Sequence, residues 1–155
     1  MKINLLKTVT HLVALILLTY TQISLATPPK GYNFTSYTQG VKNAKVNGKP
    51  LFIYVGRVGC GFCDLTNKES FSNPEVKKRL EESFNLVYID TEGGRRLTLP
   101  TGETLTELQF AESLNLRGTP VFIKASTTVK PDNNNNYGKK HYGFKTAEEL
   151  LDMID

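Results

Sequence analysis

Cys60 and Cys63 are the two cysteines of this 155-residue chain, and they stand at the junction between two kinds of local structure. Leu51-Phe52-Ile53-Tyr54-Val55 before them is an unbroken apolar run bounded by turn residues, the pattern of a strand buried on both faces. The segment from about Cys60 to Glu69 reads as a helix. A thiol in the first turn of a helix meets unpaired backbone N–H groups and the positive end of the helix dipole, which favour thiolate over thiol. A second thiol three residues later is within reach to close a disulfide. Strand, CxxC and helix in that order form a candidate unit for reversible dithiol–disulfide exchange.

The N-terminus reads as an address. Lys2 and Lys7 give a positive start, Val9 to Leu18 is mostly Val, Leu, Ile and Ala, and Ser24-Leu25-Ala26 places small residues where a signal peptidase reads. This three-part pattern predicts a signal peptide over residues 1–26, cleaved after Ala26, and a single domain over 27–155. The apolar stretch is short against the ~20 residues a membrane-spanning helix needs, so no stable membrane anchor is expected after cleavage. No cysteine directly follows the apolar run to carry a lipid. Lys2 and Lys7 are two of nineteen basic residues and no acidic residue precedes Thr27, which leaves seventeen basic against fifteen acidic residues, a formal +2. That charge is too small and too scattered for a nucleic-acid partner.

Export would place both thiols in an oxidising compartment, where disulfides persist. A single bridge closing a very short loop staples little, and a domain of this size can hold itself together by burial. A structural zinc site needs about four ligands, and only His141 remains in the mature part to join the cysteines. Redox chemistry is therefore favoured over a staple and over metal, and it requires no cofactor.

Along the rest of the chain, Tyr37, Val41 and Ala44 predict a helix from about Ser36 to Val46, broken by Asn47-Gly48-Lys49-Pro50. Asn73-Pro74 opens another, with Asn as cap and Pro in the first position, and Val76, Leu80 and Phe84 share its face. Asn85–Asp90 reads as a strand and Glu92–Arg96 as a solvated loop. Leu97-Thr98-Leu99 reads as a short extended excursion, turning at Pro100-Thr101-Gly102. Leu105, Leu108 and Ala111 predict a helix from about Thr104 to Leu114. Val121-Phe122-Ile123 follows Gly118-Thr119-Pro120 as a strand, Pro131-Asp132 and four asparagines make a turn, and Tyr137 to Phe144 is a return strand. Thr146 and Glu149 form a capping box on a last helix whose apolar positions are Ala147, Leu150, Leu151 and Ile154. Strands alternating with helices, ending in an antiparallel hairpin, predict an α/β fold with a central mixed sheet flanked by helices.

This order, with CxxC at the first strand–helix junction and Thr-Pro opening the later hairpin, resembles the thioredoxin-like fold from about Ser36 to Asp155. Within it the chain is similar to exported thioredoxin-related proteins of bacteria, through Phe71-Ser72-Asn73-Pro74-Glu75-Val76 after the CxxC helix and Leu114-Asn115-Leu116-Arg117-Gly118-Thr119-Pro120 before the hairpin. The resemblance implies a periplasmic thiol–disulfide oxidoreductase. Cys60 is then the nucleophile and Cys63 the more buried resolving thiol. Thr119–Pro120 is then a cis bond beside the cysteines, where sequence alone favours trans. Thr119, Pro120, Gly61 and Phe62 are the expected substrate-binding residues. Exported proteins with cysteines or disulfides are the expected clients, and a further redox partner is implied.

Two positions depart from thioredoxins proper. Gly59 stands where they carry Trp, and Tyr54 stands where they carry a buried Asp that helps move the proton of the second thiol. Tyr54 is read as strand packing with its hydroxyl bonded, and Asp64 and Glu69 as weak candidates for a replacement base. The Gly61-Phe62 pair is similar to the Gly-Tyr of periplasmic disulfide isomerases. It offers the thiolate no charged neighbour, so a reductase or isomerase is favoured over a strong oxidase. The alternatives are a non-catalytic thioredoxin-like binding module and, more weakly, a Cu(I) metallochaperone that would use both thiolates.

Overall fold

The computed structural model describes residues 28–126 and 137–155. The leader with its cleavage point after Ala26, and the asparagine turn at 131–136, lie outside the described residues. The elements are α1 (Tyr37–Asn47), β1 (Leu51–Gly56), α2 (Gly61–Glu69), α3 (Pro74–Ser83), β2 (Asn85–Asp90), β3 (Arg96–Thr98), β4 (Thr104–Thr106), α4 (Glu107–Ser113), β5 (Val121–Ala125), β6 (Lys140–Tyr142) and α5 (Ala147–Ile154). Four strands form a mixed sheet in the order β2-β1-β5-β6, with β3 and β4 as a separate hairpin. β1 runs parallel to β2, from Leu51 opposite Asn85 to Gly56 opposite Asp90. It runs antiparallel to β5, with Val55 opposite Val121.

β1 is thus an interior strand, and every one of its residues is buried. Its alternation feeds two cores. Leu51, Ile53 and Val55 pack with Tyr37, Val41 and Ala44 of α1 and with Phe110 and Leu114. Phe52 and Tyr54 point the other way, to Val76 and Leu80 of α3, Leu150 and Ile154 of α5, and both cysteines. Burying each large apolar side chain is worth about 1.5–3 kcal/mol, so a run of alternating faces holds both helical layers to one strand.

The helix caps follow the local sequence. The Ser36 hydroxyl accepts from Gln39 N, and α1 ends at Gly48 with φ 72°, where the Gly48 N–H donates to Ala44 O. Asn73 Oδ1 accepts from the N–H groups of Glu75 and Val76. Thr146 and Glu149 make both halves of the capping box on α5.

Three boundaries differ from the sequence reading. The helix expected from Thr104 begins at Glu107, because Thr104-Leu105-Thr106 is extended and pairs with β3. There Thr106 caps α4 reciprocally with Gln109. Leu108, expected on the buried face, is exposed, and Phe110, Ala111 and Leu114 supply the core contacts instead. β3 starts at Arg96, inside the expected loop. The return strand is shorter than Tyr137–Phe144, since Gly138 (φ 130°) and Gly143 (φ 77°) turn the chain at either end of β6. At Gly138 a Cβ would lie 2.5 Å from Lys124 O, so the close approach to β5 also requires glycine.

Candidate active site

β1 delivers the chain to the site, and Gly59 (φ 66°) turns it so that Cys60 becomes the N-cap of α2. The expected helix from Cys60 therefore has the cysteine just outside its first turn, where it faces the unpaired N–H groups. Cys60 and Cys63 are joined in a disulfide, with an S–S distance of 2.02 Å. Cys63 N donates to Cys60 Sγ at 3.1 Å. Each cysteine is 5 % exposed, so the expected greater burial of Cys63 is not found in exposure. Their difference is directional: Cys60 lines an open cleft of about 620 Å³, and Cys63 lies behind it.

Gly59, Gly61 and Phe62 form one wall of that cleft, and Leu116, Gly118 and Thr119 form part of the other. Phe62 is 63 % exposed, a large apolar ring left in solvent next to a sulfur. The Thr119–Pro120 peptide is cis. Thr119 Oγ1 donates to Cys60 Sγ at 3.2 Å, across 59 positions of sequence. Pro120 is buried behind the cleft, and its carbonyl accepts from Gly143 N at 2.9 Å. The fold thus brings all six sequence-predicted residues together, with Cys60, Gly61, Phe62 and Thr119 lining the cleft and Cys63 and Pro120 supporting it.

Beneath the disulfide lies an aromatic floor. The Tyr54 ring stacks on Phe122 with centroids 5.2 Å apart and meets Phe71 at 5.3 Å and Tyr88 at 5.4 Å. Its hydroxyl donates to Asn67 Oδ1 at 3.2 Å and lies 3.5 Å from Cys63 O. Burial chiefly, then the neighbouring Tyr88 and Asp64, pushes the Tyr54 pKa well above its usual value of 10.0, so the phenol stays protonated. Asp64 and Glu69 are exposed on α2, and Glu69 pairs with Lys68 at 3.5 Å. Arg57, at the cleft rim, pairs with Glu92 at 3.6 Å.

Sequence reasoning missed three contributors. Asn115, which lines the cleft, adopts φ 50° just after α4. Asn following a helix end is the usual signal for that left-handed position. Asn67 carried no signal of its own; only the fold pairs it with Tyr54. Arg95 is exposed in its loop, as expected, but it also donates to Glu107 Oε1 at 2.5 Å and to Tyr88 O at 3.2 Å. The Glu107 carboxylate is only 5 % exposed and also accepts from Asp90 N at 3.4 Å. A Cβ on Gly93 would come within 2.5 Å of Glu107 Oε2, so a larger residue here would displace the carboxylate from its present position. The cluster ties the end of β2 to α4, whose residues continue into the second wall of the cleft.

Known proteins align with this arrangement. The sequence profile of the thioredoxin-like domain family matches residues 37–155. Mouse Spermatogenesis-associated protein 20 is 41 % identical over 49 residues, which are 32 % of this chain and 6 % of that protein. The match to this relative therefore spans a small fraction of its length. Mouse Anterior gradient protein 3 is 21 % identical over 120 residues, covering 77 % of this chain and 65 % of that protein. Among solved structures, a thioredoxin from Thermus thermophilus superposes with a TM-score of 0.58 at 20 % identity, covering 79 % of this chain and 84 % of that one. The oxidised C-terminal domain of Neisseria meningitidis DsbD gives 0.54 at 15 % identity, covering 74 % and 86 %. At these identities the structural likeness is one of fold. The family match covers both walls of the cleft and every strand of the sheet. The chain belongs to the thioredoxin-like domain family, and it carries that family's fold with a Cys60–Cys63 disulfide at the first strand–helix junction.

Proposed function

We propose that the protein is a thiol–disulfide oxidoreductase that reduces or isomerises disulfides of exported proteins. One observation carries the reading: Cys60 Sγ sits at a helix N-cap, accepts the Thr119 hydroxyl, and lines an open cleft of about 620 Å³. In the reduced enzyme the Cys60 thiolate attacks one sulfur of a client disulfide. A Cys60–client bond forms and the other client sulfur leaves as a thiolate. Cys63, as thiolate, then attacks Cys60 Sγ, closing the 60–63 disulfide and releasing the second client thiol. The client gains two electrons and the enzyme loses two. A separate redox partner must return them, and no cofactor enters the cycle.

Direction follows from what surrounds Cys60. The Cys63 N–H and the Thr119 hydroxyl are neutral donors, Gly61 and Phe62 add no charge, and Arg57, the cation in the cleft lining, is paired with Glu92. That environment supports a moderately lowered thiol pKa and hence a reductase or isomerase. The exposed Phe62 ring offers apolar contact to a client segment seated in the cleft. The leader, from Lys2 to Ala26, supports export and action in the periplasm. A Cys63→Ala variant expressed with its leader is expected to accumulate mixed disulfides with exported proteins, resolved on gels by added reductant. Adding Cys60→Ser should abolish them. A Cys63→Ala variant that traps nothing would favour the binding-module reading.

A further inference from the structure

A buried strand position between two aromatic layers asks only for an apolar ring, and Phe would satisfy it. Tyr54 brings a hydroxyl that packing does not explain, and a buried phenol costs stability unless its hydroxyl is bonded. Four rings fix where that hydroxyl points. Phe122, Phe71 and Tyr88 lie within 5.4 Å, centroid to centroid, and Phe34 closes the fourth side at 6.1 Å. The ring is only 1 % exposed and is enclosed on all sides. The hydroxyl therefore reaches α2 at one height, the turn that begins at Cys63 and ends at Asn67. A hydroxyl has one proton. The contact to Asn67 Oδ1 is the shorter, whereas Cys63 O is the acceptor position of the helix's own i to i+4 ladder. The bond to Asn67 thus clamps the turn that carries the resolving sulfur onto the central strand. At the other end of the disulfide, Thr119 holds Cys60 from the opposite side of the cleft.

We propose that Tyr54 and Asn67 act as a positioning pair for Cys63. Their hydrogen bond holds the Cys63 turn in register with Cys60, so that the second thiolate lies in line to attack the mixed disulfide. The pair rests on the oxidoreductase reading, but it governs one step of it. In that step the Cys63 thiolate attacks Cys60 Sγ, the 60–63 bond forms, the bond from Cys60 to the bound thiol breaks, and the expelled thiolate takes a proton from water. The first attack, by Cys60, uses the N-cap and Thr119 and draws far less on the clamp.

The test uses oxidised glutathione on the full reduced protein, followed by acid quench and mass measurement of the Cys60–glutathione adduct. Tyr54→Phe keeps the ring and removes the hydroxyl. It should lengthen the adduct's lifetime roughly 2- to 10-fold, the range one net hydrogen bond supports, while slowing first attack (measured in a Cys63→Ala background) much less. Asn67→Ala removes the acceptor from the helix side without touching the aromatic floor and should give the same split. The double variant should add nothing to either single change. Equal slowing of both steps, or resolution at the wild-type rate in Asn67→Ala, would overturn the proposal. Glutathione needs no client recognition, so a failure to trap exported proteins would strike the functional reading and leave this result standing.

Discussion

A hydroxyl placed 3.2 Å from Cys60 Sγ gives Thr119 a chemical task besides turning the chain. It donates to the sulfur and so favours the thiolate. Thr119→Val keeps the β-branched shape and deletes the donor. That variant deletes a hydrogen bond that stabilises the sulfur anion, so the Cys60 pKa in reduced protein should rise. Thiolate absorbance followed against pH measures it. His141 lets a second residue be tested. Burial first, then Lys139 and Lys145, lowers its pKa below the usual 6.5. As pH falls through 6.5 the unfolded chain takes up this proton before the folded one does. Stability should therefore decline through that window down to the folded pKa, and His141→Gln should remove this part of the slope in denaturant melts. The cysteines were legible because their motif is local, whereas Thr119 was singled out only through the family resemblance carried by Gly118-Thr119-Pro120. Asn67 was not, since its meaning comes from a tyrosine on another element.

The elements show the same contrast. Caps were readable wherever a polar side chain serves its own helix, as at Asn73 and Thr146. Thr146→Ala should destabilise the protein by about 1 kcal/mol, seen as a lowered thermal midpoint. At α4 the helix start was misplaced by one turn, because Leu105 and Leu108 fit a helical period while Thr104–Thr106 gains more as a strand against β3. Gly40 illustrates how packing can invert a propensity. Glycine inside a helix is usually worse than alanine by about 1 kcal/mol. In α1, however, a Cβ at Gly40 would overlap the Val87 Cγ2 methyl on β2. Gly40→Ala should thus destabilise, by about 1–3 kcal/mol as overpacked cores do, and a urea melt with unchanged slope would show it.

At the scale of the whole molecule, both cores are aromatic, and their phenols respond to pH together. Burial raises the pKa of Tyr32, Tyr37, Tyr54 and Tyr88 above the usual 10.0. Each phenol ionises at lower pH in the unfolded chain than in the folded one. The stability they contribute is complete below pH 10.0 and is lost as pH rises through the folded values. Alkaline titration followed by ring NMR signals should show these four phenols ionising in step with loss of secondary structure, whereas exposed Tyr142 is free to ionise earlier. Ionisation of the four buried phenols while the fold persists would contradict this account of the cores.

The sequence by itself determined the order of the helices and of the four strands of the main sheet, the two-faced burial of β1 and the position of the cysteine pair, but not the β3–β4 hairpin. These depend on local patterning: apolar runs, caps, and a cysteine pair at a helix start. Tertiary structure alone decided which distant groups meet. It set Thr119 on Cys60 across 59 positions, placed the Tyr54 hydroxyl under the Cys63 turn, and paired the exposed loop residue Arg95 with a buried Glu107. The reason is physical: side-chain period and capping act over one or two turns of chain. The worth of a hydroxyl or a charge depends on burial and on partners that only the closed sheet and its covering helices supply.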